Sequence, residues 1–126
     1  MRLTKNFTSE EFECNCCKTD GIKKDFVERL QQARTNARIS FKITSGYRCP
    51  NKQKLLKEHG YETAKGVSPH EKGVAVDILA TSGRERHTIL STLMAEKFNR
   101  FGIGSNFIHV DADGDRSPNV IWHYKR

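Results

Sequence analysis

The sequence feature that most constrains the fold is a short apolar segment, residues 73–79 (GVAVDIL), that carries a single carboxylate, Asp77. Side chains alternate between the two faces of a strand, and here both faces are apolar. Such a strand belongs in the interior of a sheet. A carboxylate buried there without a partner costs several kcal/mol. We therefore predict a central strand whose Asp77 meets a cation, a hydrogen-bonded turn or water.

Four helices are predicted from hydrophobic periodicity and capping signals. Apolar residues recur at helical spacing in the two longest ones. Thr8 begins a capping box, Pro50 suits the first turn of a helix, and Ser82 is a candidate cap. The predicted helices are a short one after Thr8 and residues 21–36, 50–59 and 82–99.

Three further strands complete the predicted fold. Alternating apolar residues favour strands over residues 39–43, 106–111 and 120–124. A turn-rich segment, DADGDRSP, joins the last two and predicts a hairpin. The element order indicates one α+β domain over residues 1–126, with a largely antiparallel sheet flanked by helices.

Length and composition narrow the classes of function. The 126 residues suit one compact domain, and no apolar run approaches the roughly 18 residues of a membrane span. The N-terminal stretch MRLTKNFTSEEF lacks the apolar segment of a secretory signal, so we expect cytoplasmic synthesis without a signal peptide. The net charge of +7 either favours an anionic partner or serves solubility alone. No nucleic-acid-binding motif is present, so we expect no nucleic-acid partner. We also expect the protein to be a monomer.

Four cysteines, Cys14, Cys16, Cys17 and Cys49, lack the spacing of a zinc ribbon. The adjacent Cys16 and Cys17 cannot easily both bind one tetrahedral ion. We therefore expect reduced, buried thiols. A disulfide from Cys49 to the N-terminal cluster and a partial metal site are the alternatives.

Two segments carry side chains suited to catalysis. His70 lies in a loop seven residues before Asp77, and Gly73 allows a tight entry into the strand between them. The segment FIHVD places His109 and Asp111 on one face of a strand. If the two strands pair, the residues form a His/Asp/His set, and three ligands with an open fourth position characterise catalytic zinc. A lone histidine is more often simply hydrogen-bonded, so the spacing leaves both interpretations open.

Four motifs together resemble a known family. They are LTKNFTxxEFxCxCC at residues 3–17, SGYR at 45–48, SxHxxGxAxDI at 68–78 and FIHVD at 107–111. This combination resembles the zinc peptidases of the D-alanyl-D-alanine carboxypeptidase and L-alanyl-D-glutamate endopeptidase superfamily, in its short phage and bacterial form. Members share their fold with the hedgehog signalling domain, so the resemblance implies a hedgehog/DD-peptidase-like α+β fold.

The resemblance also implies roles for individual residues. The implied zinc ligands are His70, Asp77 and His109. Arg48 would lie near the site and bind a substrate carboxylate or steady the oxyanion, unless it forms a structural salt bridge. Ser68 would hydrogen-bond within the ligand loop or to substrate, and Tyr47 would pack or line the cleft.

The general base is not evident from the resemblance. Many members place an acid three residues before the last histidine ligand, where this chain has Asn106, which cannot take a proton from water. We predict Asp111, which shares a strand face with His109, as the base. His123 is a further candidate, acting behind the ligands or in proton transfer.

The resemblance implies a zinc-dependent peptidase that hydrolyses peptidoglycan stem peptides, with activated water attacking the scissile carbonyl. Carboxypeptidase and endopeptidase action use the same ligands, and specificity would come from cleft loops such as residues 60–67. The alternative is a non-hydrolytic, zinc-containing module that binds peptidoglycan or serves phage assembly. Without a signal peptide, we expect action on the cell wall after release, as in phage lysis or as part of a virion.

Overall fold

A five-stranded sheet organises the computed structural model, which describes residues 1–60 and 66–125. The helices are a 3-10 turn at Ser9–Phe12, α1 (Lys24–Ala37), α2 (Pro50–Glu58) and α3 (Gly83–Ala95). The strands are β1 (Ile43–Ser45), β2 (Ala75–Leu79), β3 (Arg100–Ile103), β4 (Phe107–Asp111) and β5 (Val120–His123). Their spatial order is β1-β2-β4-β3-β5. All neighbours are antiparallel except β3 and β5, which are parallel. The α+β class and the largely antiparallel sheet are confirmed.

One face of the sheet packs against the hydrophobic core, and the other carries Asp77. Val76 and Ile78 on β2 pair with Val110 and Ile108 on β4, and all four are fully buried in the hydrophobic core. Helices α1 and α3 contact each other and contribute further residues to this core. The alternate positions of the same two strands, including Asp77, point to the opposite face. Strand β2 lies inside the sheet, between β1 and β4, as its sequence predicted.

The helix caps agree with the sequence. Glu11 accepts a hydrogen bond from the Thr8 backbone N–H at 2.6 Å, as expected for a capping box. Ser82 accepts one from the backbone N–H of Glu85 at 3.2 Å. Helix α3 ends at Ala95, four residues earlier than predicted, and Lys97 then adopts a left-handed φ of 69°.

Three predictions about strands were wrong. The first strand is Ile43–Ser45, displaced from the predicted residues 39–43. Strand β3, which begins directly after the predicted helix 82–99, was not predicted. The last two strands do not form a hairpin: β5 pairs with β3, and β4 lies on the other side of β3. Segment 112–119 therefore carries the chain past β3 to the edge of the sheet.

Across residues 1–60 and 66–125, no helix combines the length and the apolar character that crossing a bilayer requires.

Candidate metal centre

The pairing of β2 with β4 places Asp77 directly opposite His109. Both side chains lie on the sheet face that points away from the helical core, and both are buried. Their closest polar atoms, Asp77 Oδ1 and His109 Nδ1, are 3.0 Å apart. A sheet register one residue different would have put one of them in the apolar core.

His70 reaches the same point from the loop before β2. The backbone N–H of His70 donates to Ser68 Oγ at 3.2 Å, and the chain then turns back at Gly73. Gly73 has a φ of +74°, and a Cβ at this position would lie 2.0 Å from the Gly21 carbonyl oxygen. Only glycine allows this approach. The turn brings His70 Nε2 to 3.4 Å from Asp77 Oδ1.

Each imidazole is anchored through its outward nitrogen. His70 Nδ1 lies 2.7 Å from the Gly46 carbonyl oxygen, which can only accept, so this nitrogen carries the proton. His109 Nε2 lies 2.7 Å from Asp111 Oδ2 and donates to it. In a neutral ring, the nitrogen that faces Asp77 then has a lone pair. Metal-binding histidines are typically held in this way by a carbonyl or a carboxylate.

These three side chains have the chemistry of a metal site. Their ligand atoms all lie within 4.8 Å of one another. Two imidazole lone pairs directed at one carboxylate oxygen would repel it unless a proton or a metal ion lay between them. The set of two nitrogens and one carboxylate oxygen suits zinc, which catalytic sites hold with three protein ligands.

The pKa values of His70, His109 and Asp77 are all shifted by their close approach and by burial. Burial lowers the pKa of His70, and the nearby Asp77 carboxylate does not reverse this. Burial would also lower the pKa of His109, but hydrogen bonds to Asp111 and Asp77 outweigh it and raise this pKa. Burial would raise the pKa of Asp77, yet the two imidazoles hold it far below its usual range. Asp77 is therefore ionised and His70 neutral, the states in which a carboxylate and an imidazole can bind a metal ion.

Two guanidinium groups hold the carboxylates from behind. Arg48 Nη2 lies 3.0 Å from Asp77 Oδ2, and Arg48 Nε donates to Ser45 Oγ at 2.9 Å. Ser45 is opposite Asp77 in the pairing of β1 with β2, which explains how Arg48 reaches the site. Arg100 Nε lies 2.7 Å from Asp111 Oδ1. Arg100 was missed from the sequence because β3 was not recognised.

A cavity of about 580 Å³ opens over these residues. This is within the range of ligand pockets, about 300–1,000 Å³. Trp122 on β5 and Tyr124 just after it form one wall, with their ring centroids 5.5 and 6.5 Å from that of His109. Burial raises the pKa of Tyr124 to about 12, so its hydroxyl stays protonated. The alternation W-H-Y was the signal that could have revealed this wall.

The other predicted site residues have mixed positions. Ser68 is buried and borders the cavity, and the exposed Asn106 also borders it. Tyr47 lies outside it, against Gly21, whose Cβ position is 2.5 Å from the Tyr47 ring. His123 is exposed, on the face of β5 opposite its cavity-lining neighbours. Of the predicted cleft loop 60–67, residues 61–65 lie outside the described residues.

Asp111 lies behind His109 as seen from Asp77. Its side chain is fully buried, and Oδ1 also accepts the Asp113 backbone N–H at 3.1 Å. Burial would raise the pKa of Asp111, but the hydrogen bond from His109 leads the contacts that lower it. These contacts suit a residue that orients His109 better than one that takes a proton from water.

Comparison with known proteins agrees with this geometry. A His/Asp/His set in a cleft on one face of a mostly antiparallel sheet is the arrangement that the sequence resemblance implied. A family model described as peptidoglycan L,D-endopeptidase MepK matches residues 6–117, a span that includes all three candidate ligands. The chain belongs to this family, and with it to the superfamily of zinc D-alanyl-D-alanine peptidases. No curated protein matches the chain.

Proposed function

We propose that this protein is a zinc-dependent endopeptidase that cleaves the stem peptides of peptidoglycan. The observation that carries the proposal is the convergence of His70 Nε2 and His109 Nδ1 on Asp77 Oδ1, at 3.4 and 3.0 Å. Membership of a peptidoglycan peptidase family supports the substrate. The substrate implies action at the cell wall, and the net charge of +7 suits an anionic wall.

Endopeptidase action is favoured over carboxypeptidase action by the charges around the cavity. A carboxypeptidase requires a cation for the terminal carboxylate of its substrate. Among the described residues, the guanidinium groups that border this cavity, Arg48 and Arg100, each pair with a buried carboxylate. The matching family is described as an L,D-endopeptidase, and we propose the same bond type for this chain.

The site contains residues that would bind zinc and residues that orient these ligands. Zinc, when bound, would act as a Lewis acid on water and on the scissile carbonyl. His70, Asp77 and His109 would hold it. The Gly46 carbonyl and Asp111 fix the two rings, and Arg48 fixes Asp77.

The walls of the cavity would position the substrate. Trp122 and Tyr124 offer apolar surface to the peptide, and the protonated Tyr124 hydroxyl can donate a hydrogen bond to a carbonyl. Asn106 can hydrogen-bond a peptide group, although it cannot accept a proton from water.

A non-hydrolytic module that binds stem peptides is the second candidate. Among the described residues that border the cavity, the acids are Asp77 and Asp111, and both are engaged in hydrogen bonds. Without a free carboxylate to take the proton from water, the protein would hydrolyse stem peptides slowly or would bind them without cleavage.

Digestion of purified peptidoglycan tests the proposal. We expect zinc-loaded protein to release fragments cut at L,D bonds, detected by chromatography and mass spectrometry. A chelator should stop the release, and added zinc should restore it. His109→Ala should be inactive, whereas His123→Ala is the matched control and should retain activity. Intact stem peptides that nevertheless bind the zinc-loaded protein would support the second candidate.

A further inference from the structure

The structure gathers all four cysteines at one point, well outside the candidate active site. Cys16 Sγ lies 3.0 Å from Cys49 Sγ, and Cys14 Sγ lies 3.5 Å from each of these two. Cys17 completes the group, with all four sulfurs within 4.8 Å of one another. We propose that these residues form a second metal site, which binds a structural zinc ion through four thiolates.

The distances suit a shared ion better than a disulfide. Four ligands at the Zn–S distance of about 2.3 Å stand about 3.8 Å apart in a tetrahedron, a value that the observed separations approach. A disulfide needs about 2.05 Å, and all four cysteines are free. A disulfide would also use only two of the thiols and leave the other two beside it.

The N-terminal loop explains how adjacent cysteines can share one ion. Residues 15–17 form a turn, and Lys18 follows in a left-handed conformation with φ of 57°. The Lys18 N–H donates to the Cys14 carbonyl at 2.8 Å, and the Cys14 N–H donates to the Thr19 carbonyl at 2.9 Å. Neighbouring side chains point apart in an extended chain, whereas in this turn the sulfurs of Cys16 and Cys17 lie within 4.8 Å of each other.

The fourth ligand comes from the start of a helix. Cys49 is the N-cap of α2, whose first residue is Pro50. The N-terminus of a helix carries partial positive charge, which favours a site with anionic ligands beside it. The Cys49 N–H also donates to Cys14 Sγ at 3.4 Å.

An ion there would support the segment that builds the active site. Cys49 directly follows Arg48, whose N–H donates to the His70 carbonyl at 3.2 Å. The Gly46 carbonyl in the same segment anchors the His70 ring. The Tyr47 N–H donates to the Phe12 carbonyl at 2.9 Å, next to the cysteine loop. The ion would tie this loop to segment 46–49 and so limit the movement of His70.

Metal content and cobalt spectroscopy test this site separately from the proposed function. We expect about two zinc ions per chain in the wild type and about one in His70→Ala/His109→Ala. In that double variant, cobalt should give thiolate charge-transfer absorption. Adding Cys14→Ser to the same background should remove the metal and the absorption.

The wild type alone can overturn the proposal, whether or not the cysteine variants fold. Bound zinc should slow the reaction of the thiols with a disulfide reagent by about tenfold or more, because coordinated thiolates are protected. The proposal fails if the thiols react equally fast with and without zinc. It also fails if cobalt gives no thiolate absorption, or if mass spectrometry of the native protein finds a disulfide.

Discussion

Asp77 Oδ1 and His109 Nδ1 face each other at 3.0 Å across the pairing of β2 with β4. The contact is local in space, although the two residues are 32 positions apart in sequence. It depends on the sheet register, because the neighbouring pairs Val76–Val110 and Ile78–Ile108 must point to the core. Packing of the apolar face therefore sets the geometry of the polar one.

Asp111 is predicted to act through His109. Asp111→Asn removes the negative charge that makes His109 a strong ligand, so we expect zinc affinity to fall about 10–100-fold. Excess zinc should restore most of the activity, and the pH profile at saturating zinc should keep its shape. The general-base role predicted from the sequence requires the reverse: normal zinc affinity, and a lost limb of the pH profile that zinc does not restore.

Gly73 is predicted to be intolerant of any side chain. Gly73→Ala combines a left-handed φ of +74° with a Cβ 2.0 Å from the Gly21 carbonyl oxygen. We expect the free energy of unfolding to fall by about 3 kcal/mol or more, measured by denaturant titration. Gly66→Ala is the control, with a φ of +71° and no atom within 4 Å, and should cost about 1–2 kcal/mol. Equal losses would show that the contact with Gly21 is unimportant.

Asp113 is predicted to stabilise the fold above acidic pH. Its side chain is 1% exposed and pairs with Lys72 at 2.9 Å and Arg116 at 3.1 Å. Burial would raise the pKa of Asp113, but the Lys72 contact and other hydrogen bonds lower it. A lowered pKa in the folded state gives stability above the unfolded value of about 3.9, lost as the pH falls through the folded pKa.

Unfolding of Asp113→Asn measured against pH checks this assignment. We expect a loss of about 1–3 kcal/mol at pH 7. The difference from wild type should shrink as the pH falls below about 4. Asp115→Asn is the control, since Asp115 also contacts Lys72 but its side chain is 85% exposed. A pH-independent loss in Asp113→Asn would contradict the electrostatic explanation.

Trp122 is predicted to serve the substrate and not the metal. Its ring lies beside His109 and has the Arg100 guanidinium 5.2 Å from its centroid. Trp122→Ala removes a wall of the cavity, so we expect KM for peptidoglycan fragments to rise several-fold with zinc content unchanged. Ile121→Ala is the control, because Ile121 is exposed on the opposite face of β5. Loss of zinc in Trp122→Ala would contradict the prediction that Trp122 contacts the substrate and does not support the metal.

Much of the site's composition could be read from local patterns. The motif around Asp77 indicated the central strand, and it required a cation, a hydrogen-bonded turn or water beside the carboxylate. Arg100 could not be found in this way, since its importance depends on β3 lying beside β4. Trp122 and Tyr124 reach the cavity because β5 joins the edge of the sheet next to β3, and a Cβ on Gly102 would collide with both rings.

The amino-acid sequence by itself determined the α+β class, the interior position of β2 and the residue types around Asp77. The class and the position of β2 follow from the periodicity of apolar side chains, and the residue types follow from short motifs that resemble a known family; both signals are local. Only the tertiary structure decided the order of the strands, the position of Asp111 behind His109 and the meeting of Cys49 with the N-terminal cysteines. Each of these depends on contacts between segments distant in sequence, which local propensity does not specify.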